Sequence, residues 1–411
     1  MSVALSTLRP LRLLVVLPTS PLPVFSGGRQ RMVEVLRRLA LRHEVTVLSY
    51  WRDEEAREGL RRLGKDMPVD VVPVPFARLR PGRRLPRQLW RRWQGKRRGL
   101  PADVPVWDQP AMHEAVGRVL AARPMDLIQV EWPYLSTYAL AHPEIPSILI
   151  THDIFSVGLQ RRAPLATGSG ERQRLQQQAD AWSRYESRVY PRFGAVAAMS
   201  ATDAAIIRQR APAARVVVLP NGVDTTALTP GEIRPQVLNL LYVGSPTHAP
   251  NLDAACWLLT DIWPALHRRH PDLNLTLVNL DHPQVRACAS PHVEITGRIP
   301  DLMPLYRQAD LVLVPLRAGS GTRLKILEAF ALGVPVISTP IGYEGLDVSP
   351  DEHLLAAATS SDFVDAVGRL MGDIALRRRL ASTARALAVA RYDWSSIVAL
   401  HEEAYHRVLT P

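Results

Sequence analysis

A chain of 411 residues is too long for one common-sized core, so two domains are the natural expectation. It is 47% hydrophobic and free of low-complexity runs, which excludes a disordered or fibrous protein. The net charge of +11 raises nucleic acid or a membrane as partners, but lysine occurs only at Lys65, Lys96 and Lys325. A skew to arginine beside abundant alanine is explained as well by genome base composition as by a partner. Cys256 and Cys288 have neither metal spacing nor a disulfide framework, which suits a reducing compartment. No segment approaches the ~20 apolar residues needed to span a bilayer, and LRPLRLLVVLP at the start fits a buried strand better than a signal peptide.

In chain order, a strand over 13–17 leads through a proline-rich loop to Ser26-Gly27-Gly28-Arg29. A helix over about 30–41 follows, with Met32, Leu36 and Leu39 on its buried face, and HEVTVLSY is a second strand. The glycines serve either a tight strand-to-helix turn or the approach of a ligand; spacing leaves both open. Residues 78–98, from Arg78 to Arg98, hold no acidic side chain, and Leu85, Leu89, Trp90 and Trp93 fall near helical spacing. A short helix there would be basic on one side and aromatic on the other, an anchor for anionic lipid. A solvated arginine loop is the plainer alternative, and no nucleic-acid-reading module lies nearby.

Strands over 126–130 and 147–151 end in Glu131-Trp132-Pro133 and His152-Asp153. Ligand groups gather outside such C-terminal strand ends, although a lone His-Asp pair often only caps a loop. A long polar helix over 161–188, the strand in AVAAMSATDA and the strand and turn VVVLPNGVD complete the first half, and 225–235 reads as a linker. The second half opens with LNLLYVGSP, ending in the small-residue turn Gly244-Ser245; Asn251 is expected to cap a helix through Trp263. NLTLVN is a strand followed by Asn279, and HVEITGRIP carries Gly297 and Arg298.

The most informative stretch is PLRAGSGTRLKILEAFALGVPVISTPIGYEG, at 315–345. An apolar strand over 311–315 runs into a loop with Gly319, Ser320, Gly321 and Thr322. A helix over about 323–332 follows, Gly333 stops it, and PVIST is the next buried strand. Backbone N–H groups converge at such a helix start and small residues let an anion approach. Arg323 and Lys325 oppose the helix dipole there and so call for a negative ligand. Glu328, a turn and a half on, could accept from a vicinal diol. Phosphate plus diol describes a nucleotide. Past this unit come a βα pair at about 353–371, a helix from Ile374 and a final amphipathic helix.

At these residues, with GSGTRLKILEAFALGVPVIST as the core, the chain resembles the retaining glycosyltransferases of family four. The resemblance implies an α/β fold of the GT-B architecture, two Rossmann-like domains facing each other across a cleft. Residues 1–228 would bind the acceptor and 229–392 the nucleotide sugar, and 393–411 would be a helix returning to the first domain. It implies a hexosyltransferase that takes a sugar from a UDP- or GDP-linked donor, with retention, to a glycan or lipid-linked acceptor. The setting would be bacterial cell-surface polysaccharide or glycolipid synthesis, in the cytoplasm or peripheral at the inner face of its membrane. His152 would face the donor sugar and join Lys325 and Glu328 as catalytic residues. Donor binding would fall to Gly28, Gly244, Ser245, Gly297, Arg298, Gly319, Ser320, Gly321, Thr322, Arg323, Lys325 and Glu328. Relatives carry an arginine and a lysine near Ser245 and Asn251, and a second glutamate where Ser320 stands. No Asp-x-Asp cluster is visible, so neither a metal nor a cofactor beyond the donor is expected.

Two other classes remain: a non-hydrolysing nucleotide-sugar epimerase on the same architecture, and a non-catalytic glycan-assembly scaffold. A hydride-transfer enzyme fits poorly, because the N-terminal Gly-Gly lacks the dinucleotide fingerprint.

Overall fold

The computed structural model of the chain describes residues 9–77, 99–166, 168–290, 292–319 and 323–410. The proposed lipid anchor at 78–98 and the loop residues Ser320, Gly321 and Thr322 therefore lie outside the described residues. The chain divides into two units, Met1–Pro220 with Ile397–Pro411, and Asn221–Ser396.

The first unit is a seven-stranded sheet with strand order β3-β2-β1-β4-β5-β6-β7. Its strands are β1 (Arg12–Leu17), β2 (Glu44–Trp51), β3 (Val69–Pro75), β4 (Leu127–Glu131), β5 (Ser147–Ile150), β6 (Ala195–Ala198) and β7 (Val216–Val218). Every pair is parallel. Parallel strands need crossovers that cover both faces, so the central ones read as unbroken apolar runs. β1 is buried from Leu13 to Leu17 and β4 throughout. The first helix, α1 (Gly27–Leu39), starts three residues earlier than the apolar pattern implies, because Ser26 caps it by accepting from the Arg29 N–H. The expected helix over 161–188 is two, α4 (Phe155–Arg162) and α5 (Ser169–Val189). Pro164 sits in a 3₁₀ turn at the break and Gly168 caps the second piece. Before them, α2 (Glu54–Asp66) and α3 (Pro110–Ala122) are crossover helices; α6 (Ala201–Arg210) follows β6.

The second unit has six strands in the order β10-β9-β8-β11-β12-β13, again all parallel. They are β8 (Asn239–Val243), β9 (Asn274–Val278), β10 (Val293–Ile295), β11 (Leu311–Val314), β12 (Val336–Ser338) and β13 (Leu355–Ala356). After β8, helical structure runs from α7 (Ala249–Trp257) through a π stretch (Leu258–Ile262) into α8 (Trp263–Arg269). α9 (Met303–Gln308) precedes β11, and α10 (Leu324–Ala331) joins β11 to β12. α11 (Ser360–Gly372), α12 (Ile374–Arg391) and α13 (Trp394–Leu409) close the chain.

The segment that reads as a linker is held inside the second unit. Arg385 donates to the carbonyls of Thr225, Leu228 and Ala331 at 2.6–2.7 Å, and buried Arg377 donates to those of Arg234 and Pro235. Such bonds satisfy loop carbonyls that burial would otherwise leave unpaired. Among the described residues no helix is long and apolar enough to cross a membrane.

From Ile397 onward, α13 belongs to the first unit. Ile397, Val398, Ala404 and Tyr405 are its buried apolar face. Glu402, 1% exposed, accepts from Arg42 at 2.7 Å and from His43 Nε2 at 3.2 Å. The Leu11 N–H donates to His43 Nδ1, so the ring's proton must sit on Nε2 and point at Glu402. Burial holds His43 below its usual range, with Glu402 opposing, and a neutral ring is sufficient for both bonds. Glu402→Ala leaves that buried N–H without its acceptor, and urea unfolding of the full chain should read a loss of about 1–3 kcal/mol. An unchanged midpoint would mean that apolar packing alone seats the helix.

Candidate functional site

In a parallel sheet all strand C-termini share one edge, and the crevice forms where the strand order reverses. In the second unit that point lies between β8 and β11. Gly244 and Ser245 follow β8, and the loop with Gly319 follows β11. Gly319 adopts φ +121°, and a Cβ there would come within 2.8 Å of Arg323 Nη2. Only glycine serves a backbone of that shape with a guanidinium against it. Arg323 occupies the N-cap position of α10, Lys325 lies in its first turn and Glu328 one turn further on.

Lys325 is the centre of this arrangement. Its Nζ donates to Asn251 Oδ1 at 3.1 Å and lies 4.5 Å from the centroid of the Tyr242 ring. Burial pushes its pKa down to about 7, Arg323 adds to the shift, and Glu328 opposes it. Such a lysine gains a proton readily when an anion arrives. Asn251 is not the helix cap that its residue type implies: His248 holds that position, and Asn251 turns inward in the first helical turn. Glu328 is buried, and its Oε2 accepts from the Tyr306 hydroxyl at 2.8 Å. Arg317 grips Asp253 through two bonds, at 3.0 and 2.6 Å, which ties the strand-end segment after β11 to α7. Asn279, at the end of β9, has φ +59°, a conformation glycine favours and asparagine tolerates. Its side chain accepts from the Ile299 N–H at 2.7 Å. Gly297 and Arg298 follow β10 at the sheet's edge and are exposed, apart from the Lys325 cluster.

In the first unit the reversal lies between β1 and β4. His152, after β5, is buried and stacks on Trp132 with ring centroids 3.6 Å apart and planes within 8°. Its Nε2 bonds to Glu131 Oε2 at the end of β4. The carboxylate orienting this imidazole thus comes from the neighbouring strand, not from the adjacent Asp153. Since a carboxylate only accepts, Nε2 carries the hydrogen, and the neutral ring offers Nδ1 as an acceptor rather than a donor. Burial holds His152 below its usual range and Arg31 adds to this, against the pull of Glu131. Both residues pay backbone strain: His152 has φ +56°, and Trp132 has φ +73° with ψ 140°, a region populated almost only by glycine. A Cβ on Gly28 would stand 3.0 Å from the Trp132 ring, so the glycine-bearing first turn of α1 is where that indole packs.

Beside Trp132 a cavity of about 390 Å³ is lined by Phe25, Arg29, Arg52, Trp107 and Tyr134, among others. Arg29 lies over Phe25 and Arg52 over Trp107, 3.7 and 4.3 Å from the ring centroids. A second cavity, about 530 Å³, opens at the opposite edge of the second sheet, where β8, β9 and β10 begin, and holds none of the candidate residues. Among the described residues no group of three or more His, Cys, Asp and Glu side chains could hold a metal ion.

Tyr242, Tyr306, Glu131 and Trp132 are the site members that motif reasoning does not pick out. Glu131 and Trp132 stand at a strand's C-terminal end, a signal visible beforehand; the tyrosines carry none.

Residues 25–227 match the model of Glycosyltransferase Family 4, and residues 238–373 that of Glycosyl transferases group 1. The chain is 27% identical over 208 residues to a phosphatidyl-myo-inositol mannosyltransferase of Mycobacterium leprae, covering 47% of this chain and 54% of that one. It spans about half the length of the curated relatives it matches. Among solved structures it is similar to a sucrose-phosphate synthase from Thermosynechococcus elongatus, with TM-score 0.71 and 17% identity over 96% of this chain and 98% of that one. It is also similar to Anabaena HepE, a structure in complex with UDP and glucose, with TM-score 0.67 and 16% identity over 95% and 98%. Such identities speak to the fold.

The half-buried Lys325 has a stability signature. Its folded pKa of about 7 lies below the 10.5 of an exposed lysine, so the unfolded state binds more protons between those values and stability rises with pH across that window. Lys325→Met removes the effect. The variant should be more stable than the parent by on the order of 4 kcal/mol at pH 6, and the gap should close towards pH 10. Thermal melts across this range check it; a pH-independent gap would contradict the burial of the charge.

Proposed function

The chain belongs to the group 1 glycosyl transferases of family 4, and from that premise we propose that it moves a sugar from a UDP- or GDP-linked donor to a hydroxyl of a glycan or lipid-linked acceptor, with retention. Lys325 carries this reading. A half-buried lysine at a helix start, near its neutral form, suits a site that waits for an anion.

The nucleoside diphosphate would lie on the loop after β11 and the first turn of α10, with Gly319, Arg323 and Lys325 at the phosphates. Lys325 takes up a proton as the diphosphate arrives. Its charge then stabilises the leaving group more strongly as the glycosidic bond breaks and negative charge collects there. Glu328, held by Tyr306, accepts from the ribose diol. Gly244, Ser245, Gly297 and Arg298 are the further donor contacts carried over from the family pattern, as are Ser320, Gly321 and Thr322. HepE, in complex with UDP and glucose, supports a nucleotide donor by analogy of fold.

The first unit would supply the acceptor side. Its aromatic cavity beside Trp132 offers flat apolar faces for a sugar ring and arginines for its oxygens. His152 presents Nδ1 to accept from a sugar hydroxyl. The M. leprae relative's name, a phosphatidylinositol mannosyltransferase, is in keeping with a lipid-linked acceptor and a role in bacterial surface glycolipid or polysaccharide synthesis. An inner-face membrane location and a reaction without metal are parts of the same proposal.

Two measurements test it. Among UDP, GDP and ADP, without metal, one should raise the melting temperature selectively; no shift from any would remove the donor site. Glu328→Ala should then lower nucleotide-sugar turnover roughly 100-fold or more in a folded protein, and Lys325→Ala should weaken the diphosphate more than the nucleoside. Turnover unchanged in Glu328→Ala would dismiss the ribose contact.

A further inference from the structure

His152 is the end of a buried hydrogen-bonded chain that reaches the C-terminal helix. Glu131 holds His152 through Oε2, and its Oε1 accepts from Gln129 Nε2 at 2.5 Å. Gln129 Oε1 accepts from the Tyr405 hydroxyl at 2.5 Å. Tyr405 lies 3.4 Å from His401 Nδ1, and His401 Nε2 lies 3.2 Å from Arg31 Nη2. Arg31 also donates to the carbonyls of Leu219 and Pro220. Gln129, Glu131, Arg31, His401 and Tyr405 are each no more than 4% exposed.

The direction of every bond follows from the two ends. A guanidinium only donates, so His401 Nε2 accepts and its Nδ1 carries the hydrogen that points at the Tyr405 oxygen. The Tyr405 hydroxyl is then committed to Gln129 Oε1. That sets the amide so that its NH₂ faces Glu131. A carboxylate only accepts, so Glu131 takes one hydrogen from Gln129 and the other from His152 Nε2. No link can be reversed without leaving a buried donor facing a donor.

We propose that Tyr405 and His401 of the C-terminal helix are positioning residues for His152, acting through Gln129 and Glu131 to hold its imidazole as the Nε2–H tautomer with Nδ1 left as an acceptor. The claim that Nδ1 faces a sugar hydroxyl rests on the proposed transferase function; the tautomer and its control do not. Two charged groups bear on the imidazole, Glu131 from β4 favouring its charged form and Arg31 from α1 opposing it, while a charge on His152 would itself disfavour one on His401 of α13. Burial keeps both histidines below their usual range, and a neutral His401 is what the chain of bonds requires.

The bond from Gln129 engages part of the negative charge that the Glu131 carboxylate presents to His152. Without Tyr405 to hold the amide, that bond loosens, the carboxylate attracts a proton on His152 more strongly, and the imidazole titrates higher.

The test is the imidazole ¹⁵N spectrum of the full chain, labelled at histidine and followed with pH, with His152→Gln identifying the resonances. The parent should show the Nε2–H tautomer. Tyr405→Phe should raise the His152 midpoint by about one pH unit, the size expected for losing a hydrogen bond to a charged partner. Gln129→Met, which breaks the chain one link nearer, should act in the same direction and serves if Tyr405→Phe does not fold. An Nδ1–H tautomer in the parent overturns the proposal, as do spectra of the folded variants that match the parent. With an active donor and acceptor pair in hand, both variants should lower kcat with donor KM unchanged and move the pH profile with the midpoint. A fall in kcat at an unmoved midpoint also overturns it. If the parent turns over no nucleotide sugar, the transferase reading fails, while the spectra still decide the relay.

Discussion

Parallel pairing is the constraint on which this molecule depends. A strand that lies parallel to its neighbour cannot be joined by a tight turn, so each connection crosses over through a helix and every strand ends at the same edge. In both units the candidate residues stand at that edge: Glu131, Trp132 and His152 at and after the ends of β4 and β5, and Gly244, Ser245, Gly319 and Lys325 around β8 and β11. The reversals of strand order, β1 against β4 and β8 against β11, open the crevices there. Helix starts at the same points direct unpaired N–H groups outward. Site and fold are one consequence of the same connection rule.

The second constraint is the cost of burying charge. Arg31, Glu131, Glu328, Arg377 and Glu402 are all withdrawn from water, where a bare charge is expensive, and Lys325 is half-buried. Apart from Glu402, which pairs with Arg42, each is met by a neutral hydrogen-bonding partner or a backbone carbonyl rather than by a simple ion pair. Asn251 and the Tyr242 ring face Lys325, and Tyr306 faces Glu328. Carbonyls of 234 and 235 meet Arg377, and Gln129 meets Glu131. Neutral partners orient a charged group without cancelling it. That leaves Lys325 with a titratable proton in the second unit and His152 with a defined tautomer in the first.

Backbone strain gathers at the same edge. Trp132 and His152 hold positive φ at adjacent strand ends, and the stack of their rings is what over-determines them. Asn279 takes a left-handed backbone that glycine favours, and its side chain uses the position to bind the Ile299 N–H.

Much of this was legible in the residues in order. The apolar runs at 13–17 and 311–314 mark central strands, because a strand covered on both faces is apolar on both; β4, with Gln129 and Glu131 buried in it, departs from that pattern. The run Gly319 to Glu328 reads as a candidate phosphate-and-diol site from sequence, because helix starts, small residues and those side chains suit one kind of chemistry; the structure places Gly319, Arg323, Lys325 and Glu328 around the end of β11 and the start of α10. Boundaries were less legible. Ser26 began α1 early, Pro164 and Gly168 divided one expected helix into two, and the segment taken for a linker at 225–235 was claimed by Arg385 and Arg377 from more than 140 residues away. Local pattern determined the strands, the glycine loop and the family motif, since those depend on neighbours in sequence. Only the tertiary structure decided that Asn251 faces Lys325 rather than capping its helix, that Glu131 and not Asp153 orients His152, and that Tyr405 stands behind them. Those partners are set by which strands and helices become neighbours in space, and the spacing of residues along the chain carries no record of it.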